Sequence, residues 1–244
     1  MDPFGEADDP RRRLLIQALA AGFFTGGLAG GRVLAADLFG STPSKLPAGR
    51  SIYRLSGKVT VDGKPATLDT VITPTSTVET GNDGQIVFVS EESAYILRAD
   101  SRMVLERKQT ESFFSTGLRL VTGKLLSVFP KKGPIQLRTA TATIGIRGTG
   151  VYMESDPEQT YFCTCYGVAD IASNKDPAST TTVTATHHDR PLYVMNEAQS
   201  GKNIRNAPFI NHTDQELSLI ETLVGRKTPF VFSNDAYTGP RRTY

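Results

Sequence analysis

Short runs in which apolar and polar positions alternate dominate the chain from about residue 58 to residue 171. Lys58–Val61, Thr70–Pro74, Gln85–Ser90, Ala94–Arg98, Arg102–Arg107, Gly117–Val121, Lys124–Phe129 and Ile135–Thr139 each read as a strand. Their side-chain period is two, and Val, Ile, Leu, Phe and Thr fill them. Asp62-Gly63, Asn82-Asp83-Gly84 and Lys131-Lys132-Gly133-Pro134 punctuate the runs. The Asp-Gly pair suits a tight hairpin because both residues tolerate positive φ. Nearly every segment is too short for a helix, so the pattern predicts an all-β domain, a sandwich or β-roll of short strands.

After residue 172 the pattern changes. Ser173–Thr182 is polar and loop-like, Thr182–Thr186 reads as one more strand, and His187-His188-Asp189 precedes the apolar run Pro191–Val194. A single amphipathic helix is well marked, over about 213–225. Thr213 can cap it, and Glu216, three residues on, completes a capping box. Leu217, Ile220, Leu223 and Val224 form its apolar face, and Gly225 is placed to stop it. The expected organisation is a linker over 36–50, a β domain over 51–172, and a C-terminal extension over 173–244 that carries the helix.

Composition changes this picture little. The chain has 244 residues, 39% hydrophobic and 21% charged, as an ordinary folded domain does. Its 27 basic residues against 25 acidic ones leave a net charge of +2. With no basic stripe interleaved with aromatics, nucleic acid is not an expected partner.

Residues 1–35 call for separate treatment. Arg11-Arg12-Arg13-Leu14-Leu15 opens a Gly- and Ala-rich apolar run through Gly31, and Val33-Leu34-Ala35-Ala36 offers small residues to a peptidase. That order is the order of a signal peptide. It resembles a twin-arginine signal, with Arg11 and Arg12 as the pair, although Pro10 stands where Ser or Thr is usual. A general secretion signal and an uncleaved anchor are the alternatives. For an anchor, the run is barely long enough to span a bilayer and its glycines make a poor helix. The expected location is the periplasm, with membrane contact only through an uncleaved signal.

Within 139-TATATIGIRGTGVY-152 the glycines run G-x-x-G-x-G. A dinucleotide fingerprint needs G-x-G-x-x-G followed by a helix. Here Val151-Tyr152-Met153-Glu154 alternates like a strand, so Gly145, Gly148 and Gly150 predict a strand–turn–strand corner. These residues carry a resemblance. Ala140 through Tyr152, with Arg147-Gly148-Thr149 at its centre, resembles the signature of the FecR-type domain of bacterial envelope proteins, and the likeness extends over roughly 55–172. The resemblance implies a binding or scaffold module whose partner is another envelope protein or a cell-wall ligand. FecR regulators also carry a cytoplasmic anti-sigma segment. Residues 1–10 leave no room for one, so a free-standing exported protein is expected, without sigma-factor control. Arg147 is expected to be structural, hydrogen-bonding loop carbonyls through its fork.

Candidate chemistry lies downstream. The only two cysteines sit in 161-YFCTCYG-167, and the three histidines are His187, His188 and His212. Cys163 and Cys165, two apart on a strand, project from the same face. Thiolate with imidazole is a ligand set for zinc, and thiolate also favours cuprous copper. A site of Cys163, Cys165, His212 and one of His187 or His188 is one reading; adjacent histidines in extended chain point opposite ways, so only one should ligate. Two other readings stay open: cysteines that are small buried hydrophobes, and a strained, reducible disulfide. A Cys–His nucleophile, Cys163 or Cys165 with His188, is the enzymatic alternative; it needs a third group to orient the base, and Asp189, the one available, is adjacent to it in sequence. The function expected first is that of a non-enzymatic binding or scaffold module; a metal or redox protein comes second.

Overall fold

Three strands longer than any the alternation marks organise the molecule: β8 (Phe114–Val128), β10 (Ala142–Ser155) and β11 (Gln159–Ser173). In the computed structural model, which describes residues 43–109, 114–197 and 200–230, the chain is all-β with a C-terminal helix. The expected signal segment, with Arg11 and Arg12, lies outside the described residues. Among the described residues no helix is long and apolar enough to cross a membrane.

Before β8 the chain forms β1 (Ile52–Ser56), β2 (Val59–Val61), β3 (Lys64–Pro65), β4 (Thr77–Thr80), β5 (Gln85–Ser90), β6 (Ser93–Leu97) and β7 (Arg102–Gln109). After it come β9 (Ile135–Arg138), then β10, β11, β12 (Thr180–Ala185), β13 (Leu192–Met195), β14 (Ile204–Asn206) and α1 (Asp214–Leu223). All the strands join one mixed sheet. Its long strands change partners half-way. The first half of β8 pairs with β7 and its end with β6. β10 pairs with β9 over 143–146 and with β8 over 150–155. β11 pairs with β13 over 159–162 and with β12 over 167–172. Short strands fanning from both ends of long ones fold the sheet over on itself. The sheet thus continues past residue 172, and β12 to β14 belong to it.

The expected corner at the glycines is instead a bulge inside one continuous strand. Arg147 faces Val168 and Gly150 faces Tyr166, so β10 carries one more residue than β11 there. A bulge of this kind bends the strand without ending it. Gly148 takes φ +58°, and opposite it Gly167 takes φ +93°. A Cβ on Gly167 would lie 2.7 Å from the Gly148 carbonyl oxygen, so the crossing needs glycine. Thr149 locks the bulge, its hydroxyl accepting from Arg147 N and donating to Val168 O, both at 3.2 Å. Gly150 lies beneath the Tyr166 ring, whereas the nearest atom to a Cβ on Gly145 would be 4.0 Å away. Arg147 departs from expectation. Its side chain is 74% exposed and meets the Asp170 carboxylate at 3.7 Å on the sheet surface, because its position in β10 points away from the core.

The run 70–74 forms no strand. The Ser51 hydroxyl accepts from Ile72 N and the Ser76 hydroxyl from Thr73 N, each at 3.0 Å, so side chains take donors that a ladder would need.

Two apolar cores result. The larger fills the folded sheet, with Phe88, Leu118, Leu120, Ile144, Met153 and Phe162 among its members. The second lies on the outer face, where Ile96, Leu126, Val128, Tyr152, Cys163 and Cys165 meet Leu217, Ile220 and Leu223 of α1. Burial along β11 records both. Residues 160–166 are buried without alternation, while 167–173 return towards a period of two. The C-terminal segment covers the outer face only over the first stretch.

The helix matches its sequence signals. Thr213 caps it, with the full capping box to Glu216, and Gly225 follows at φ +75°. Glu216 also pairs with Arg98 at 3.0 Å, both side chains buried. At the other end Glu221 accepts from the Tyr166 hydroxyl and from Arg226 Nε at 2.6 Å.

Candidate metal centre

Cys163 and Cys165 stand on the outer face of β11, both fully buried and both free thiols. The two histidines that join them arrive from different directions, His188 itself at positive φ and His212 next to a residue at positive φ. His188 follows β12 at φ +54°. The Asp189 carboxylate fastens the bend, accepting from the Thr186 hydroxyl at 2.8 Å and from His187 N at 3.1 Å. His188 N donates to Cys165 O at 2.9 Å, which ties the bend to β11. His212 lies between β14 and α1. Its neighbour Asn211, at φ +61°, is held through its carbonyl by Arg98 at 2.7 Å and through its side chain by Glu154 at 2.8 Å. The Tyr161 hydroxyl, donating to Pro208 O at 3.0 Å, holds the segment just before it.

One ligating atom from each of Cys163, Cys165, His188 and His212 lies within 4.8 Å of every other. Cys163 Sγ is 3.5 Å from His188 Nδ1, Cys165 Sγ is 3.4 Å from His212 Nε2, and His188 Nδ1 is 3.1 Å from His212 Nε2. Zinc bonds of about 2.3 Å to sulfur and about 2.0–2.1 Å to nitrogen, arranged tetrahedrally, give edges of about 3.6 Å for S···N and about 3.4 Å for N···N. The side chains therefore already stand near the corners of such a tetrahedron. Both cysteines are free thiols here, and each sulfur lies within hydrogen-bond reach of a histidine nitrogen.

Partners on the far side of each imidazole fix which nitrogen faces inward. His212 Nδ1 donates to Ile210 O at 2.7 Å, leaving Nε2 for the site. His188 Nε2 donates to Asp214 Oδ1 at 2.9 Å, leaving Nδ1. A metal-ligating histidine ordinarily has a second partner of this kind, carboxylate or backbone carbonyl. Asp214 Oδ2 accepts from His187 Nε2 at 2.8 Å. Asp214 opens α1, where the helix dipole favours a negative charge. Aromatic rings close the site. Tyr152 stacks on His212 with centroids 4.5 Å apart, and Phe209 packs on His188 and His212 at 4.6 and 4.3 Å.

Protons are unevenly divided among the four. Burial works against a Cys163 thiolate, but the hydrogen bond from Cys165 and the charge and hydrogen bonds of His212 and His188 hold this thiol well below the usual range. Burial, together with the bond to Cys163 and the Cys163 charge, pushes Cys165 well up. Burial depresses His212. At His188 burial is outweighed by the bonds to Asp214 and Cys163, and the group is raised. Burial would raise Asp214, but the bonds from His188 and His187 keep it lowered, hence an acceptor for both.

Of the residues singled out in the sequence, the structure thus brings together Cys163, Cys165, His188 and His212. His187 is kept outside, its side chain 44% exposed. The two histidines do not sit in extended chain: residues 186–188 form a bend, and His188 has φ +54°. Asp214 and the aromatic cover are not found from the sequence; the one signal for Asp214 is its place two residues after His212 and at a helix start. A Cys163/His188/Asp214 array has the outline of a nucleophilic triad, with Cys163 and His188 both at 0% exposure.

No family model matches this chain, and no curated protein matches it. Among solved structures, two crystal structures, at 1.65 and 2.50 Å, of a candidate anti-sigma factor from Parabacteroides distasonis ATCC 8503 are similar. Each is 13% identical, with a TM-score of 0.41, over 54% of this chain and 58% of that one. This chain thus spans a little more than half the length of those proteins. A likeness of that size assigns it to no family.

Proposed function

We propose that this protein is a binding or scaffold module of the bacterial envelope, reached by twin-arginine export, whose C-terminal segment is clamped to its β-roll by one tetrahedral metal ion. Cys163, Cys165, His188 and His212 are the ligands. The observation that carries the reading is their convergence, with mutual separations near those of a zinc tetrahedron. Two thiolates with two imidazoles favour zinc; cuprous copper is the runner-up, drawn by the sulfurs.

A site whose four corners are all protein side chains is the structural kind, since a catalytic zinc keeps a position open. The ion would supply binding energy that becomes folding energy. Cys163 and Cys165 anchor it to the middle of β11, while His188 and His212 belong to the bend after β12 and the segment before α1. Ligation therefore closes two loops, 165–188 and 188–212, and presses α1 onto the outer face of the sheet. The exported location and the envelope partner rest on residues 11–36 and on the FecR-like stretch around Arg147.

Elemental analysis of the untagged, exported protein tests the reading. About one zinc per chain is expected, and the same measurement on the Cys163→Ser, Cys165→Ser double variant should find none. Copper in place of zinc would change the metal and keep the clamp. Wild-type protein free of both metals would remove the clamp.

A further inference from the structure

We infer that His187 and Asp214 form an outer loading site, through which a divalent transition metal of the zinc type reaches the buried ligands. The inference rests on reading Cys163, Cys165, His188 and His212 as those ligands.

The inner set is sealed. Cys163, Cys165 and His188 are 0% exposed and His212 is 3%, with Tyr152 and Phe209 packed on the imidazoles. An ion has to be passed inward by something that meets both solvent and a ligand. His187 is half-exposed, and its Nε2 bonds the carboxylate that His188 bonds. Asp214 thus holds the outer histidine on Oδ2 at 2.8 Å and the inner one on Oδ1 at 2.9 Å. Ligating atoms of His187, His188 and Asp214 all lie within 4.8 Å of one another.

The donor chemistry also grades inward. Two imidazoles and one carboxylate are a three-ligand set that leaves a zinc-type ion room for water, whereas two thiolates and two imidazoles complete its shell. His188 borders both sets: Asp214 holds its Nε2–H on the outer side, and its one lone pair, on Nδ1, faces the inner ligands and meets the outer ion only when the ring turns. To act, His187 changes tautomer through solvent at its exposed edge, taking a proton on Nδ1 as it releases the one on Nε2, and so presents the Nε2 lone pair while staying neutral. Asp214, neutralised by the captured cation, lets go of His188. The His188 ring is then free to turn and deliver the ion to Nδ1, His212 and the thiols. The Phe230 ring, 4.6 Å from that of His187 and 6.3 Å from that of His188, forms the rim of this route.

A purely positioning role for His187, holding Asp214 in place, would look similar in equilibrium measurements, so rates decide. Metal-stripped full-length protein is mixed with Co²⁺, and the thiolate-to-cobalt absorption is followed in a stopped-flow instrument. His187→Gln keeps a hydrogen-bond donor for Asp214 but is a poor ligand; His187→Ala removes both. Both variants should reach the wild-type end point while loading about tenfold more slowly, as a barrier raised by loss of one ligand requires. Unchanged rates in His187→Gln would overturn the loading site, and so would a lowered equilibrium affinity in that variant. A wild-type protein that never develops the thiolate band would overturn the clamp itself, a separate result from unchanged rates.

Discussion

His188 Nε2 donates to Asp214 Oδ1 across 2.9 Å, and this bond decides that Nδ1 is the nitrogen facing Cys163 and His212. Replacing the carboxylate by an amide leaves every ligand in place but loosens the ring. Asp214→Asn should still bind one ion per chain, with affinity lowered about 10- to 100-fold, measured by competition with a chromogenic chelator. Affinity within twofold of wild type would mean that packing against Phe209, and not Asp214, orients His188.

The two loops closed by the ligands give chelation a local signature. Hydrogen exchange in stripped and loaded protein should differ most over 186–189 and 207–223, and least in β4 and β7. An ion present at about a hundredfold over its dissociation constant adds about 2.7 kcal/mol. For a domain of this size that corresponds to a rise in Tm of about 5–10 °C. Uniform loss of protection across the sheet on stripping would contradict a clamp confined to the C-terminal segment.

Loading should weaken as pH falls. Ligation requires Cys165 as thiolate and His188 with its Nδ1 free of a proton, and both groups hold their protons more tightly than usual. Cys163, held well down, and His212, also lowered, contribute no such cost at neutral pH. Of the neighbouring acids, Asp214 stays charged through its bonds to His187 and His188. Where one proton is displaced the dissociation constant should rise about tenfold per pH unit lost, and towards a hundredfold where His188 is also protonated. Chelator competition at several pH values between 6 and 8 measures that slope; a flat profile would contradict the proton assignment.

The bulge makes a prediction independent of any metal. Gly167→Ala places a methyl group against the Gly148 carbonyl and the Thr149 Cα at a residue of φ +93°. It should cost about 2–4 kcal/mol in denaturant unfolding. At Gly148, φ +58°, the closest obstruction is the flexible Lys131 side chain, so Gly148→Ala should cost less, about 1 kcal/mol. Equal costs would contradict the crossing of the two strands at Gly167.

The fold class was readable because most short strands keep a period of two, and the helix because Thr213, Glu216 and Gly225 mark both its ends. The length of β8, β10 and β11 was not readable. Glycines at 123, 148 and 167 look like breaks in a one-dimensional pattern, yet in a sheet each bends a strand that continues. The run 161-YFCTCY-166, six buried residues without alternation, is a strand covered on both faces. For the site, the common facing of Cys163 and Cys165 follows from strand geometry, whereas His187 and His188 lie on a bend after β12 that alternation does not describe. Which histidine is excluded depends on the left-handed backbone at His188 and the Asp189 turn. Asp214's role depends on tertiary packing that no spacing encodes.

X-ray absorption at the zinc edge of the untagged protein reads the ligand shell itself. Two sulfur neighbours at about 2.3 Å and two nitrogen neighbours at about 2.0–2.1 Å are expected around a single zinc. A shell of oxygen and nitrogen alone, with no sulfur scatterer, would contradict the four-ligand site.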